Sequence, residues 1–263
     1  MNYKELLNSH KKFGTLETDI LIKDDFDKIQ QNVVIAPWWD VTIFDTQDAK
    51  ITKINNILYN VKINDITFSY IQLKRVGASG IMDSILRLGV TKCKNLLFIG
   101  SAGSLSENIN IGDLVIPTYS VCGDGATRYL NKNLEDEFGK KEYPNLKITK
   151  QLLEITKTIC KENKVNYHNV PNFSVDTVFA QFYHMDYIIN TGVQTIEMET
   201  ANVFKCSKIA KINTTALFCI SDNIIKKKSL YSGRTEKEKE YRYMVRYNIL
   251  PKIIMELLKK IQN

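Results

Sequence analysis

Short apolar runs rich in β-branched residues alternate along this chain with segments whose apolar residues recur at helical spacing. Runs of the strand type lie at residues 33–36, 66–73, 96–99, 113–117, 172–178 and 214–220. Segments of the helical type lie at 81–88, 148–161, 196–210 and 241–261, and Pro251 is expected to kink or divide the last of them. This alternation predicts an α/β fold with a mostly parallel sheet and helices on both of its faces.

The length and composition place the chain among proteins with one ordinary hydrophobic core. Its 263 residues are within the range of a single α/β domain, and no change in composition marks a boundary, so we expect one domain over 1–263. The five cysteines show no C-x-x-C spacing, which predicts free thiols in a cytoplasmic protein. No apolar run approaches the roughly 20 residues that span a bilayer, so we expect no membrane insertion.

The formal net charge of +7 comes from basic residues that are spread along the chain and mixed with 29 acidic ones. The densest basic run is 226–228, and such a run usually forms a solvated surface or a loop. We therefore expect no nucleic-acid partner, although the charge favours attraction of an anionic substrate. The three histidines have no metal-ligand spacing, so no metal site is expected.

Three polar motifs follow predicted strands or open a predicted helix. Ligands of open α/β sheets bind at the carboxyl ends of the strands. The first motif, 100–105, has small residues that let a ligand approach the backbone, and Ser101 adds a hydroxyl. The second, 195–201, carries two carboxylates that can accept hydrogen bonds from a sugar diol. The third, 221–223, contains Asp222, which would act as an acid near neutral pH if burial raised its pKa.

Each motif also has an ordinary structural explanation. Gly-Ser turns are common after strands, and acids at a helix start complement the helix dipole. A polar triplet after a strand serves equally well as a turn or a helix cap.

Taken together and in this order, GSAGSL (100–105), IEMETA (196–201) and ISDN (220–223) resemble the nucleoside phosphorylase superfamily. GSAG and EMET also resemble its nucleosidase branch, which acts on methylthioadenosine and S-adenosylhomocysteine. The resemblance implies a single-domain, three-layer α/β/α fold with a central mixed, partly barrel-like sheet. It also implies a homo-oligomer that cleaves the N-glycosidic bond of a nucleoside without a metal or organic cofactor.

The resemblance assigns a role to each matching residue. Asp222 matches the acid that protonates the leaving purine, and Glu199 matches the carboxylate that binds ribose hydroxyls. Glu197 and Met198 match neighbours that line the sugar.

The same resemblance places the remaining contacts around these groups. Ser101, with Gly100, matches the residue that contacts phosphate, or the attacking water in nucleosidases. Val178, Phe179 and Ser221 match residues that line the base.

The chain departs from the family pattern where phosphate is normally held. The stretch APWWDVT (36–42) lacks the glycine and arginine of the phosphorylase phosphate loop, and Phe98 occupies the place of a second arginine. Arg75 is a candidate replacement. Asp40 lies near the position of a water-activating carboxylate in nucleosidases, yet Phe218 stands where nucleosidases often carry an arginine.

These departures leave three functions open. We expect phosphorolysis of a purine nucleoside, with inorganic phosphate as co-substrate. Hydrolysis by water and a catalytically inactive nucleoside-binding homologue remain the alternatives. The segment 223–240 is interpreted as a gate that closes over the substrate.

Overall fold

The computed structural model describes residues 1–13 and 23–262. Within them lie ten strands: β1 (Asn32–Ala36), β2 (Lys50–Lys53), β3 (Leu58–Ile63), β4 (Ile66–Gln72), β5 (Asn95–Ser104), β6 (Leu114–Gly123), β7 (Lys141–Glu142), β8 (Tyr167–Val175), β9 (Thr195–Glu197) and β10 (Asn213–Asn223). The α-helices of this part of the chain are α1 (Tyr3–Phe13), α2 (Ala78–Leu88), α3 (Leu146–Asn163), α4 (Met185–Asn190), α5 (Thr200–Ala210), α6 (Glu236–Met244) and α7 (Leu250–Gln262).

All ten strands belong to one mixed sheet that closes partly on itself. β10, β6, β8, β9 and β5 pair in that order, and β5 pairs again with β10, which closes a five-stranded barrel. β1, β4, β3 and β2 extend the sheet outward from β5. β5 runs parallel to β1 and β10, whereas β10 and β6 are antiparallel. The mixed, partly barrel-like sheet implied by the family resemblance is confirmed.

Helices cover both faces of the sheet. Alternate residues of β5 point to opposite sides: Leu97 and Ile99 pack in the core that contains α3 and α7, and Leu96 and Phe98 pack in the core that contains α2 and α5. The period of two along a strand therefore produces two separate apolar layers. The three-layer α/β/α architecture is confirmed.

The prediction of one domain over 1–263 includes residues 14–22 and 263, which lie outside the described residues. No helix of the described chain is both long enough and apolar enough to cross a membrane.

The strand predicted over 96–99 does not end there, because residues 100–104 continue strand β5 to Ser104, so the alternative explanation of this motif as a Gly-Ser turn is wrong. β10 accompanies β5 from the pair Asn95–Asn213 to the pair Ser104–Asn223, with one irregularity between Ile220 and Asp222. Glycine and other small residues allow a strand to bend sharply where a barrel closes. The Gly-Ser motif is therefore part of the barrel wall.

Three other boundaries differ from the sequence prediction. The segment 196–210 begins as strand β9, and its helix starts only at Thr200. The triplet 221–223 belongs to the end of β10, and the strand predicted over 172–178 ends at Val175. In each case pairing across the barrel, which is not visible in local sequence, decides the boundary.

The C-terminal segment is helical from Glu236 to Gln262 but contains a π-helical turn at Val245–Ile249. Within it the N–H of Leu250 donates to the carbonyl of Val245. Proline removes one N–H donor and crowds the carbonyl four residues before it. The wider turn directly before Pro251 accommodates both effects, so the helix is adjusted there without being interrupted.

Candidate functional site

A cavity of about 1020 Å³ lies at the ends of the barrel strands. β5, β9 and β10 supply its polar side, whereas the loops after β1 and β8 supply apolar side chains. Nine residues singled out from sequence line it: Gly100, Ser101, Val178, Phe179, Glu197, Met198, Glu199, Ser221 and Asp222.

Asp222 lies near the end of β10 with its carboxyl group in the cavity wall. The hydroxyl of Ser221 donates to Oδ1 of Asp222 at 2.6 Å. Burial raises the pKa of Asp222, and the Ser221 hydrogen bond and the charges of Arg242 and Arg234 oppose that rise. A carboxyl group whose protonated form is favoured in this way can deliver a proton to a bound ligand.

Gly103 leaves the space that Asp222 occupies. A Cβ atom at Gly103 would lie 2.8 Å from Oδ2 of Asp222 and 3.2 Å from Cγ2 of Ile196. Any larger residue at this position of β5 would therefore push the carboxyl group from its place. The glycine of the GSAG motif serves close approach between side chain and backbone.

Glu199 is buried at the N-terminal end of α5, 6% exposed. The N–H of Gly77, which precedes α2 with φ of +89°, donates to its Oε1 at 2.5 Å. Burial, followed by the nearby charge of Glu197, raises the pKa of Glu199 to about 8. Oε1 is thus held by the protein at a point where Glu199 lines the cavity.

Glu197 is held by hydrogen bonds from the protein itself. Oε1 accepts from Nδ2 of Asn172 at 2.7 Å and from Oγ of Ser174 at 2.6 Å. Oε2 accepts from the N–H groups of Glu199 and Thr200 at 2.7 and 2.9 Å, and so caps helix α5. Burial raises the pKa of Glu197, and these donors oppose that rise. Glu197 therefore positions Glu199, whereas its predicted sugar contact has to compete with four existing hydrogen bonds.

The two residues expected to line the base lie at the open mouth of the cavity. Val178 and Phe179 follow β8, and their exposed fractions are 63% and 90%. A large apolar surface is thus available to a flat ligand at the entrance.

Two of the predicted site residues lie outside the cavity lining. Oδ1 of Asp40 accepts from the N–H of Thr42 at 3.0 Å and caps the short helix Val41–Gln47. Arg75 is exposed, and its aliphatic stem lies beside Gly80. The structure does not bring either residue together with Ser101, because local capping holds Asp40 and the turn before α2 directs Arg75 elsewhere.

The sequence interpretation missed Arg242, whose Nη2 donates to Oγ of Ser101 at 3.0 Å across 141 residues of chain. Lys239, Arg242 and Arg246 recur at helical spacing in the C-terminal segment. This basic stripe is the signal that would have indicated a site there. Trp38 and Trp39, after β1, also line the cavity.

The segment interpreted as a gate borders the cavity. Lys227, Lys228 and Tyr231 line it, and Tyr231 is 95% exposed. Lys228 forms an ion pair with Glu238 of α6 at 2.5 Å, which links the segment to the helix that carries Arg242. Among the described residues, no group of three or more metal-binding side chains converges.

The fold is thus an α/β protein with a closed five-stranded barrel flanked by helices, in which the carboxyl groups of Glu197, Glu199 and Asp222 line one largely apolar cavity. The family model of the phosphorylase superfamily matches residues 70–243, and the chain belongs to that superfamily.

Two curated relatives match parts of the chain. A 5′-methylthioadenosine/S-adenosylhomocysteine nucleosidase of Haemophilus ducreyi is 37% identical over 79 residues, 30% of this chain and 31% of that protein. A DeoD-type purine nucleoside phosphorylase of Streptococcus thermophilus is 23% identical over 133 residues, 50% of this chain and 53% of that protein. The matches therefore span about half or less of the relatives' length.

Solved structures share the fold over nearly the whole chain. Uridine phosphorylase from Vibrio fischeri superposes with a TM-score of 0.75 at 15% identity and covers 94% of this chain and 100% of that one. AMP nucleosidase from Bacteroides thetaiotaomicron gives 0.66 at 13% identity and covers 100% and 99%.

Proposed function

We propose that the protein cleaves the N-glycosidic bond of a purine nucleoside, with Asp222 as the acid and Glu199 as the ribose-binding group. The observation that carries this proposal is that both carboxyl groups line one cavity and that burial raises the pKa of each. Purine-cleaving relatives, a nucleosidase and a phosphorylase, support the choice of base.

The proposed chemistry follows from the charges that develop as the bond breaks. When the C–N bond opens, the base gains electron density and the ribose ring becomes positive. Asp222 transfers its proton to the departing base, and Glu199 holds the ribose hydroxyls in place. Both contacts strengthen in the transition state, so they accelerate the reaction beyond simple substrate binding.

We propose phosphate as the acceptor. A phosphate oxygen would form the new bond to the anomeric carbon and give ribose 1-phosphate and the free base. The guanidinium of Arg242 on Ser101 supports this choice, because it places a cation beside the serine that the family motif assigns to phosphate. Hydrolysis is the second candidate, favoured by the 37% identity of a segment to a nucleosidase.

A panel of nucleosides incubated with and without inorganic phosphate tests the proposal. Free base together with ribose 1-phosphate, formed only when phosphate is present, is the expected result. Free base with free ribose in both conditions would establish hydrolysis instead. Binding of nucleosides without release of base from any of them would contradict the enzymatic proposal and support the inactive homologue.

We also propose a homo-oligomer. Phe179, Phe182 and Tyr183 are exposed around the cavity mouth, with exposed fractions of 90%, 55% and 90%. Contiguous exposed aromatic surface commonly marks an interface. Multi-angle light scattering of the purified chain is expected to give a mass that is a multiple of 30.3 kDa, and a monomer mass at micromolar concentration would contradict this proposal.

A further inference from the structure

A second, smaller cavity of about 280 Å³ lies beside Ser101, and Arg242 is one of its lining residues. Basic and aromatic side chains line it: Arg234, Lys239, Arg242, Tyr243, Arg246 and Tyr247. Three guanidinium groups and one ammonium group therefore border a space that is small relative to the main cavity.

The arginines of this cluster lack the partners that buried guanidinium groups normally have. Within the described chain, the Nε atoms of Arg234, Arg242 and Arg246 are buried without a hydrogen-bond partner. Their hydrogen bonds go to neutral oxygens: Arg234 donates to the carbonyls of Ser221 and Leu230, and Arg242 donates to the Ser101 hydroxyl. Buried donors left unpaired are costly, and an anion with several oxygens would satisfy them.

The positive charges of Arg234, Arg242 and Arg246 repel one another. Burial, together with the charges of Arg246 and Arg234, lowers the pKa of Arg242, whereas Asp222 and Cys219 act in the opposite direction. Of the four cations, Lys239 pairs with a carboxylate, Glu236, at 2.7 Å. The cluster is thus arranged for a ligand that brings negative charge.

The backbone holds the cluster in place. Lys239 and Arg242 lie on α6, and Arg246 lies in the π-helical turn that follows it. The guanidinium carbon of Arg246 lies 4.6 Å from the ring centre of Trp39 and 5.1 Å from that of Tyr247, so cation–π contacts with both rings help to hold the group. π-Helical turns of this kind occur frequently at functional sites.

The two cavities meet at the cluster. Arg242 contacts Ser101, and Arg246 lies over the ring of Trp39. Both Ser101 and Trp39 line the main cavity. An anion in the small cavity would therefore lie next to a ligand in the large one.

We propose that Arg234, Arg242 and Arg246 form a phosphate-binding pocket of the C-terminal helix, which takes inorganic phosphate or the phosphate group of a nucleoside monophosphate. A guanidinium group can donate two parallel hydrogen bonds to two oxygens of one phosphate group. The pocket supplies the arginines that the sequence lacks in the loop after β1 and at Phe98. The inference rests on the proposed function for the ligand in the main cavity, but not for phosphate binding itself.

Isothermal titration calorimetry of the full chain tests the pocket without requiring turnover. Inorganic phosphate, adenosine and adenosine 5′-monophosphate are titrated separately into the wild type and into Arg242→Gln and Arg246→Gln. Loss of a charged hydrogen-bond donor is expected to weaken the phosphate-bearing ligand about 10- to 100-fold and to leave adenosine within a few-fold. Arg128→Gln, an exposed residue outside both cavities, is the matched control. Arg75→Gln tests the competing candidate from sequence and is expected to behave like the control.

The two phosphate sources give different patterns. Free phosphate that binds and is lost in the variants identifies a co-substrate site. Arginine dependence confined to adenosine 5′-monophosphate identifies a site for the substrate's own phosphate. Equal affinity of wild type and both variants for both phosphate ligands, with melting temperatures unchanged, overturns the inference. If phosphate binding requires the arginines but no nucleoside or nucleotide releases its base, the proposed function fails and the pocket stands.

Discussion

The N–H of Gly77 donates to Oε1 of Glu199 at 2.5 Å and joins the start of α2 to the start of α5 across 122 residues of chain. In turn, Oε2 of Glu197 accepts a hydrogen bond from the backbone N–H of Glu199 at 2.7 Å. The two acids of the EMET motif thus differ in their contacts: Glu197 accepts hydrogen bonds from four protein donors, whereas Oε1 of Glu199 accepts from the N–H of Gly77. Their positions in the barrel produce this difference, although in sequence they look alike.

Replacing the proposed acid separates turnover from binding. Asp222→Asn is expected to lower base release about 10²- to 10⁴-fold, because an amide of the same shape cannot transfer the proton. Nucleoside affinity, measured by calorimetry, is expected to change by only a few-fold. Asp65→Asn, in the exposed turn between β3 and β4, is the control. Wild-type turnover in Asp222→Asn would contradict the acid role.

A methyl group at Gly103 tests the close approach to the acid. Gly103→Ala is expected to shift the Asp222 carboxyl group, which would lie 2.8 Å from the added atom, and to reduce base release about 100-fold. Stability is expected to fall only slightly, because the end of a side chain moves more easily than backbone. Gly125→Ala, whose added atom would come no closer than 3.7 Å to a neighbour, serves for comparison in the same rate and melting assays. An unaltered rate in Gly103→Ala would argue against the proposed placement of the acid.

Protonation of Glu199 predicts a pH-dependent stability. Its folded-state pKa of about 8 exceeds the ordinary value of 4.5, so the folded protein retains a proton that the unfolded chain releases. This contribution is complete below pH 4.5 and is lost as the pH rises towards about 8, with a slope of at most about 1.4 kcal/mol per pH unit.

Glu199→Gln removes that titration, so its free energy of unfolding relative to wild type is expected to increase with pH across this window. Urea unfolding at pH 5, 6, 7 and 8 measures it. Glu162→Gln, on the exposed end of α3, should give parallel curves. Parallel curves for Glu199→Gln as well would show that Glu199 has an ordinary pKa.

Replacement of Glu197 is expected to destabilise the folded protein. Glu197→Ala removes the buried carboxylate that accepts hydrogen bonds from Asn172, Ser174, Glu199 and Thr200. Loss of this buried network is expected to lower the free energy of unfolding by about 2–5 kcal/mol. Urea unfolding beside Glu162→Ala provides the measurement, and a loss no larger than that of the surface variant would mean that the network contributes little.

Closure of the segment after β10 predicts protection from protease. Trypsin is expected to cleave the free protein after Lys226, Lys227, Lys228 or Arg234, which border the cavity mouth or lie in the same segment. Saturating nucleoside with phosphate is expected to slow these cuts several-fold, as followed by mass spectrometry. Cleavage at Lys4, in α1, provides an internal reference that the ligand should not affect. Cleavage in the segment that is as fast with ligand as without it would contradict a gate.

Local sequence was sufficient for the periodic elements and for the chemical character of the site. The apolar runs at 33–36 and 214–220 lie within β1 and β10, and the amphipathic stretch at 148–161 lies within α3, because side-chain periodicity directly reflects which face is buried. The motifs around Ser101, Glu199 and Asp222 also predicted which acids and hydroxyls line the cavity.

Tertiary structure decided what depends on partners distant in the chain. Ser101 and Asp222 lie in strands because β5 and β10 pair to their ends and close the barrel, and local propensity cannot show this pairing. Arg242 reaches Ser101 only through the packing of the C-terminal helix. The raised pKa of Glu199 likewise arises from burial, the charge of Glu197 and the placement of Gly77. Chemical identity is thus a property of the sequence, whereas proximity, burial and charge are consequences of how the barrel closes.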